Sequence, residues 1–307
     1  MNVYINNAKE NWVVDRFVDE WNIYNNKQSS NYRFGEKIIW LIAPWTWKKI
    51  PKKYLLRNKV ICTIHHIDED KFDKNEEENF FERDKIVDHY HVISKKTEEQ
   101  ISRLTSKPIT TIPFWVNQNI WYEITDKEII REKYGFDKDT YLVGSFQRDT
   151  EGKDLISPKL SKGPDRFIEI VKNLKKDFDN FKVVLTGTRR HYIINKLKEE
   201  GIEYSYFEMN SFENINELYN ILNLYIVSSR YEGGPQSILE CSLTKTPIIS
   251  TDVGIASQIL SSESIFNMSN YLSAKPNQEE AYLNVQKYLI PEGFKDFNNL
   301  IREVNEN

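Results

Sequence analysis

Short apolar runs and amphipathic segments alternate along the whole chain, and this alternation most limits the folds open to it. The apolar runs cover residues 3–5, 37–43, 59–65, 86–94 and 109–117, then 141–145, 181–185, 204–208, 221–227 and 247–251. Between them lie segments with helical spacing. Trp12, Val13, Phe17, Val18, Trp21 and Tyr24 make one such stripe, and residues 95–104, 126–134, 167–174, 191–200, 216–222 and 237–245 make others. Further helices are expected at 257–260, 278–289 and 294–304. Strands and helices alternating every roughly 20 to 35 residues form βα units, and βα units form parallel sheets. The expected fold class is α/β. A chain of 307 residues can hold two domains with separate cores. The expected division is 1–117 and 118–293, with a last helix at about 294–307.

Composition excludes several function classes. A net charge of −4 gives no general attraction to nucleic acid. Cys62 and Cys241 sit in apolar segments, with neither zinc spacing nor a disulfide framework. No apolar run reaches the length of a membrane span and no signal peptide opens the chain, so a cytoplasmic protein is expected. Trp45 to Lys53 mixes aromatic and basic residues. It reads first as a solvated loop and helix start, with peripheral membrane contact as the second reading. Asp68-Glu69-Asp70 could chelate a metal, but Asp-x-Asp recurs at 137–139 and 177–179, so all three read as solvated surface and no metal is expected.

Residues 229–240 carry the chemistry. The run Ser-Arg-Tyr-Glu-Gly-Gly-Pro-Gln-Ser-Ile-Leu-Glu follows an apolar strand and enters a helix. Gly233 and Gly234 lie on that turn, and Pro235 is expected at the first helical position. The amides of Gln236, Ser237 and Ile238 would face the loop and suit an anion such as a diphosphate. Glu232 and Glu240 bracket the turn. A tight loop with a glutamate near a helix start is the plainer alternative.

This stretch resembles the E-x7-E signature of the retaining glycosyltransferases of family 4. The likeness continues through Thr246-Pro247-Ile248-Ile249-Ser250-Thr251-Asp252-Val253-Gly254. Gly234, Thr246 and Ile255 depart from the common pattern, which bears on donor choice more than on fold. The resemblance implies a GT-B fold, with two Rossmann-like domains whose parallel sheets face a central cleft. It implies transfer of a sugar from a nucleotide-sugar to a hydroxyl acceptor such as a glycan or a lipid-linked one, with retained configuration, no cofactor and no metal.

The resemblance also implies roles. Glu232 would hold the donor sugar, and Gly233, Gly234 and Pro235 would let the sugar and phosphate approach. Ser237 and Ile238 would meet the diphosphate, and Glu240 the ribose hydroxyls. The segment after Gly144 resembles the family's G-R…K-G element, which makes Arg148 and Lys162 the diphosphate cations. Arg148 stands four residues past Gly144, and the loop to Lys162 is long. His65 matches a histidine that contacts the sugar, with His66 beside it as an alternative or as an acceptor contact. Thr186, Gly187 and Arg189 end a strand and would touch nucleotide or form an exposed basic loop. Apart from the resemblance, Asn7, Lys9, Asn11 and Trp12 follow the carboxyl end of the first strand and would bind the acceptor or serve as a polar connector. An epimerase of the same fold and a non-catalytic nucleotide-sugar binding subunit are the other readings.

Overall fold

The computed structural model describes residues 2–10, 13–30, 32, 35, 37–208 and 210–306. They form two compact units, Met1–Phe114 with Pro291–Asn307, and Trp115–Ile290. In the first, β1 (Val3–Ile5), α1 (Val13–Tyr24), β2 (Ile38–Leu41), α2 (Lys52–Leu55), β3 (Lys59–Ile64), α3 (Lys74–Asp84), β4 (His89–Val92), α4 (Lys95–Ile101) and β5 (Ile109–Thr111) follow in order. The five strands lie side by side in sequence order, and every pairing is parallel.

That simple order hides a reversal. After α1 the chain returns along the outer side of β1, where Val3 N donates to Gln28 O at 2.7 Å and Ser30 N to Val3 O at 2.8 Å. Ser29 bridges Val3 in parallel fashion. Only then does it cross to β2 on the inner side. The helices divide accordingly. Phe17 of α1 stacks on Phe114 at 4.2 Å, and Trp21 meets the edge of Trp40 in β2 at 5.4 Å. On the opposite face Ile39, Leu41, Cys62 and Val92 pack with Leu55, Phe80 and Ile101 from α2, α3 and α4. Right-handed crossovers that move in opposite directions place their helices on opposite faces. The carboxyl ends of β1 and β2 are therefore a topological switch point, where α/β sheets leave a crevice.

The second unit contains α5 (Lys127–Lys133), β6 (Tyr141–Ser145), α6 (Pro164–Leu174), β7 (Phe181–Thr186), α7 (His191–Glu199), β8 (Tyr204–Phe207), α8 (Phe212–Ile221) and β9 (Leu224–Val227). It continues with α9 (Gln236–Leu243), β10 (Ile248–Thr251), α10 (Ala256–Ile259), β11 (Ile265–Phe266) and α11 (Gln278–Val285). Its sheet runs β11-β10-β9-β6-β7-β8, all parallel. This is the doubly wound order, and it reverses between β6 and β9. A last helix, α12 (Lys295–Glu306), belongs to the first unit. Its Phe297 lies 5.2 Å from Trp40, 5.0 Å from His91 and 5.6 Å from Phe114.

Several elements differ from expectation for local reasons. The strand expected from residue 221 begins at Leu224, because α8 runs through Ile221 and Asn223 turns its side chain to accept from the Leu142 amide at 2.9 Å. The strand from 109 stops at Thr111, short of Pro113, which has no N–H to donate. The acidic run after Asp68 contains a helix, α3. Asp73 caps it by accepting from the amides of Asn75 and Glu76. Phe80 is the one buried side chain of that helix, so the helical periodicity was hidden.

Candidate active site

The loop leaving β9 lies at the switch point of the second sheet, and it is fastened on two sides. Thr251 Oγ1 donates to Ser229 O at 2.7 Å. The amides of Arg230 and Tyr231 donate to Ser161 O at 2.7 and 3.1 Å. Arg230 forks onto Asp165 at 2.7 and 2.6 Å, and Ser228 Oγ donates to Gly163 O at 2.8 Å. Two glycines make this closeness feasible. A Cβ on Gly163 would stand 1.9 Å from Ser228 O, and one on Gly254 2.5 Å from Gly233 O. Both have left-handed backbones, with φ of 62° and 57°.

This stitching brings Lys162, at the end of the 3₁₀ turn Leu160–Lys162, against Glu232. The two form an ion pair, with side chains 16% and 10% exposed. Ser229 Oγ lies 3.3 Å from Glu232 Oε1 and 3.3 Å from Gln147 Oε1, and Gln147 Nε2 donates to Lys162 O at 2.9 Å. Gln147 was not singled out from sequence; its proximity to Arg148 was the available signal.

Glu240 is buried at 7% exposure, and its Oε2 accepts from Tyr219 Oη at 2.9 Å. Burial and the neighbouring carboxylate push the Tyr219 phenol well up, which keeps it a donor. Tyr219 belongs to an aromatic cluster with Phe146 at 4.9 Å and Tyr225 at 5.4 Å. The Phe146 amide donates to Tyr225 Oη at 3.0 Å, and the Ser237 side chain hydrogen-bonds to the same phenol. Tyr219 was missed because a helix residue 21 positions before Glu240 gives no local signal.

Three expectations need correction. Pro235 caps α9 rather than starting it, and Gln236 is the first helical residue. The Ile238 amide donates to Pro235 O at 3.0 Å, closing the first turn internally rather than facing a ligand. Gly144 lies within β6, and a Cβ there would stand 2.3 Å from Leu222 Cδ1. Its missing side chain makes room for Leu222.

Arg148 is exposed and donates from Nε to Thr150 O at 2.9 Å. Partial burial and the nearby Arg189 push its guanidinium down, against Glu151. Arg189 has a left-handed backbone, φ 58°, and donates to Gly152 O at 2.9 Å. Gly187, with φ 83°, accepts from Tyr206 Oη at 2.9 Å.

In the first unit, Asn6 fixes the switch point by bonding Ala43 and Thr46. Asn7 Oδ1 accepts from the Lys9 amide at 2.7 Å, and Asp15 grips the amides of Lys9 and Glu10 at 3.0 and 2.8 Å. Asn11 and Trp12 lie outside the described residues. His65 Nε2 bonds Ile42 O at 2.8 Å, and the ring stacks on Phe114 at 5.9 Å. A carbonyl only accepts, so Nε2 carries the proton. Burial pushes the ring's pKa down, leaving Nδ1 as the acceptor of the neutral form. His66 is exposed. Among the described residues no group of three His, Cys, Asp or Glu could hold a metal ion. No helix of the described residues is long and apolar enough to cross a membrane. The Trp45 segment forms the 3₁₀ helix Pro44–Lys49, and Trp45 Nε1 bonds Glu10 Oε1 at 3.1 Å.

Two parallel-sheet α/β units of this kind define the GT-B glycosyltransferase class. The profile described as "Glycosyl transferases group 1" matches residues 126–303. The chain belongs to that family. No curated protein sequence matches it. Among solved structures it resembles Anabaena Alr3699/HepE in complex with UDP, with 10% identity over 99% of this chain and 100% of that one, at a TM-score of 0.74. Sucrose-phosphate synthase from Thermosynechococcus elongatus gives 16% identity over 95% and 78%, at 0.69. A glycosyltransferase from Rickettsia africae ESF-5 gives 16% over 100% and 84%, at 0.63.

Proposed function

We propose that this glycosyltransferase moves a sugar from a nucleoside-diphosphate sugar to a hydroxyl acceptor, with retained anomeric configuration and no metal ion. In this reading it is a family 4 enzyme, and Glu232 and Glu240 are its E-x7-E pair. The observation that carries the proposal is the ion pair of Lys162 and Glu232 where the second sheet reverses. It sets a cation and a carboxylate where a phosphate and a sugar hydroxyl would each need one. The HepE structures that hold UDP and UDP-glucose make a uridine donor the first to try.

In this mechanism the incoming diphosphate takes Lys162 from Glu232. The released carboxylate accepts hydrogen bonds from the sugar. The bond between sugar C1 and phosphate oxygen then breaks, and negative charge grows on the leaving diphosphate beside the Lys162 ammonium. The acceptor oxygen bonds to C1 on the same face, and its proton passes to the departing phosphate. Glu240 receives the ribose hydroxyls, and Arg148 assists the diphosphate. Lys162→Ala is expected to lower turnover at saturating donor by about 10²-fold or more. NMR of the product is expected to show the donor's anomeric configuration. Wild-type turnover in Lys162→Ala, or an inverted product, would contradict the proposal.

A further inference from the structure

The most deeply buried charges of the second unit lie at the base of the loop that carries Lys162. The Asp149 and Arg190 side chains are 1% and 0% exposed, and Arg190 Nε stands 2.6 Å from Asp149 Oδ2. Arg190 Nη1 donates to Ser145 O at 2.6 Å and Thr186 O at 2.9 Å, so one guanidinium joins the ends of β6 and β7. Asp149 then fastens both sides of the following loop. Its amide donates to Arg189 O at 3.2 Å, and its carbonyl accepts from the Lys159 amide at 2.7 Å. Thr150 bridges Pro158 in antiparallel fashion, and the exposed residues 152–156 loop outward beyond this neck. On the far side the Lys162 amide donates to Lys159 O at 2.8 Å. A long excursion therefore leaves from one anchored point and returns to it.

A buried pair of this kind is a weak source of stability. Taking two ions out of water cancels most of their attraction, and apolar residues of similar volume often serve as well. Arg190 Nη2 and Ser145 Oγ have no hydrogen-bond partner among the described residues, so the buried fork is incompletely satisfied. What it does provide is a fixed position. We propose that Asp149 and Arg190 are positioning residues for Lys162, holding the loop neck so that the ammonium stands where a diphosphate binds. This inference rests on the reading of Lys162 as a diphosphate cation.

The test uses the full chain with Asp149→Leu and Arg190→Met together, which removes both charges and keeps the volume filled. Arg190→Lys, which keeps the charge and loses the fork, stands in if the pair fails to fold. Amide exchange of Lys159 and Lys162 is expected to quicken by about tenfold, with Val184 in β7 unchanged. Calorimetric titration with UDP, GDP and ADP is expected to show about tenfold weaker binding of whichever nucleotide the wild type takes, and no further loss when the change is made on Lys162→Ala. Unchanged exchange at Lys162 in the folded variant overturns the inference. So does an affinity loss that persists in full without Lys162. A wild type that takes none of the three nucleotides contradicts the proposed function instead, and the exchange measurement still decides the positioning role.

Discussion

Lys162 and Glu232 stand 70 positions apart and meet in one ion pair, while His91 shows the opposite use of a polar side chain. His91 is fully buried. Its Nε2 donates to Ile112 O at 2.7 Å, and its Nδ1 accepts from Thr63 Oγ1 at 2.9 Å. Thr63 Oγ1 in turn accepts from Trp40 Nε1 at 2.8 Å. The network admits one tautomer of the neutral ring, and burial pushes its pKa down from 6.5 to about 3. The unfolded chain therefore binds more protons between those values, and stability must fall as pH drops through that window. His65 and His89 are shifted the same way. Denaturant unfolding of the first unit is expected to need less denaturant at about pH 5 than at about pH 7, with a smaller difference in His91→Gln. An equal difference in the variant would contradict this account of His91. At this scale the sequence exposed only part of the chemistry. Glu232, Lys162 and Glu240 stood inside a recognisable pattern. Tyr219, Gln147, Asp149 and Arg190 work through long-range contacts that no local spacing encodes.

Elements were easier to foresee than their ends. Strands with a continuous apolar run, such as β6 and β7, lie almost where the pattern set them. Helix α3 was hidden because it buries little, and the end of α8 was blurred because Ile221 is apolar in either conformation. Glycines join the elements at two decisive points. Gly163 ends the 3₁₀ turn of Lys162 and caps α6, where a Cβ would stand 1.9 Å from Ser228 O. Gly163→Ala is expected to destabilise the second unit by more than about 4 kcal/mol, because a Cβ must displace backbone at a left-handed position. The same change at Gly135, which has positive φ but open space around it, is expected to cost only about 1–2 kcal/mol. Thermal unfolding of both variants separates the two costs. Equal losses would show that Gly163 is needed only for its φ and not for the close approach of the two loops.

At the scale of the chain, two sheets each reverse their winding once, and some of the polar residues singled out from sequence lie beside each reversal. In the first unit these are Asn7 and His65, close to Asn6 at the ends of β1 and β2. In the second they are Lys162, Glu232 and Glu240, near the ends of β6 and β9. A GT-B glycosyltransferase and the α/β architecture could be anticipated from one motif and one alternation. The reversal in the first sheet could not, because Gln28–Ser30 pairs with β1 through too few residues to form an apolar run. The proposed function requires the reversal between β6 and β9 to grip a nucleoside diphosphate, with Glu240 on its ribose. Calorimetric titration of wild type and Glu240→Ala with UDP, GDP and ADP tests it most directly. One of the three is expected to bind the wild type and to bind the variant at least about tenfold more weakly. Equal affinity in the two proteins, or no binding of any of the three by the wild type, would contradict it.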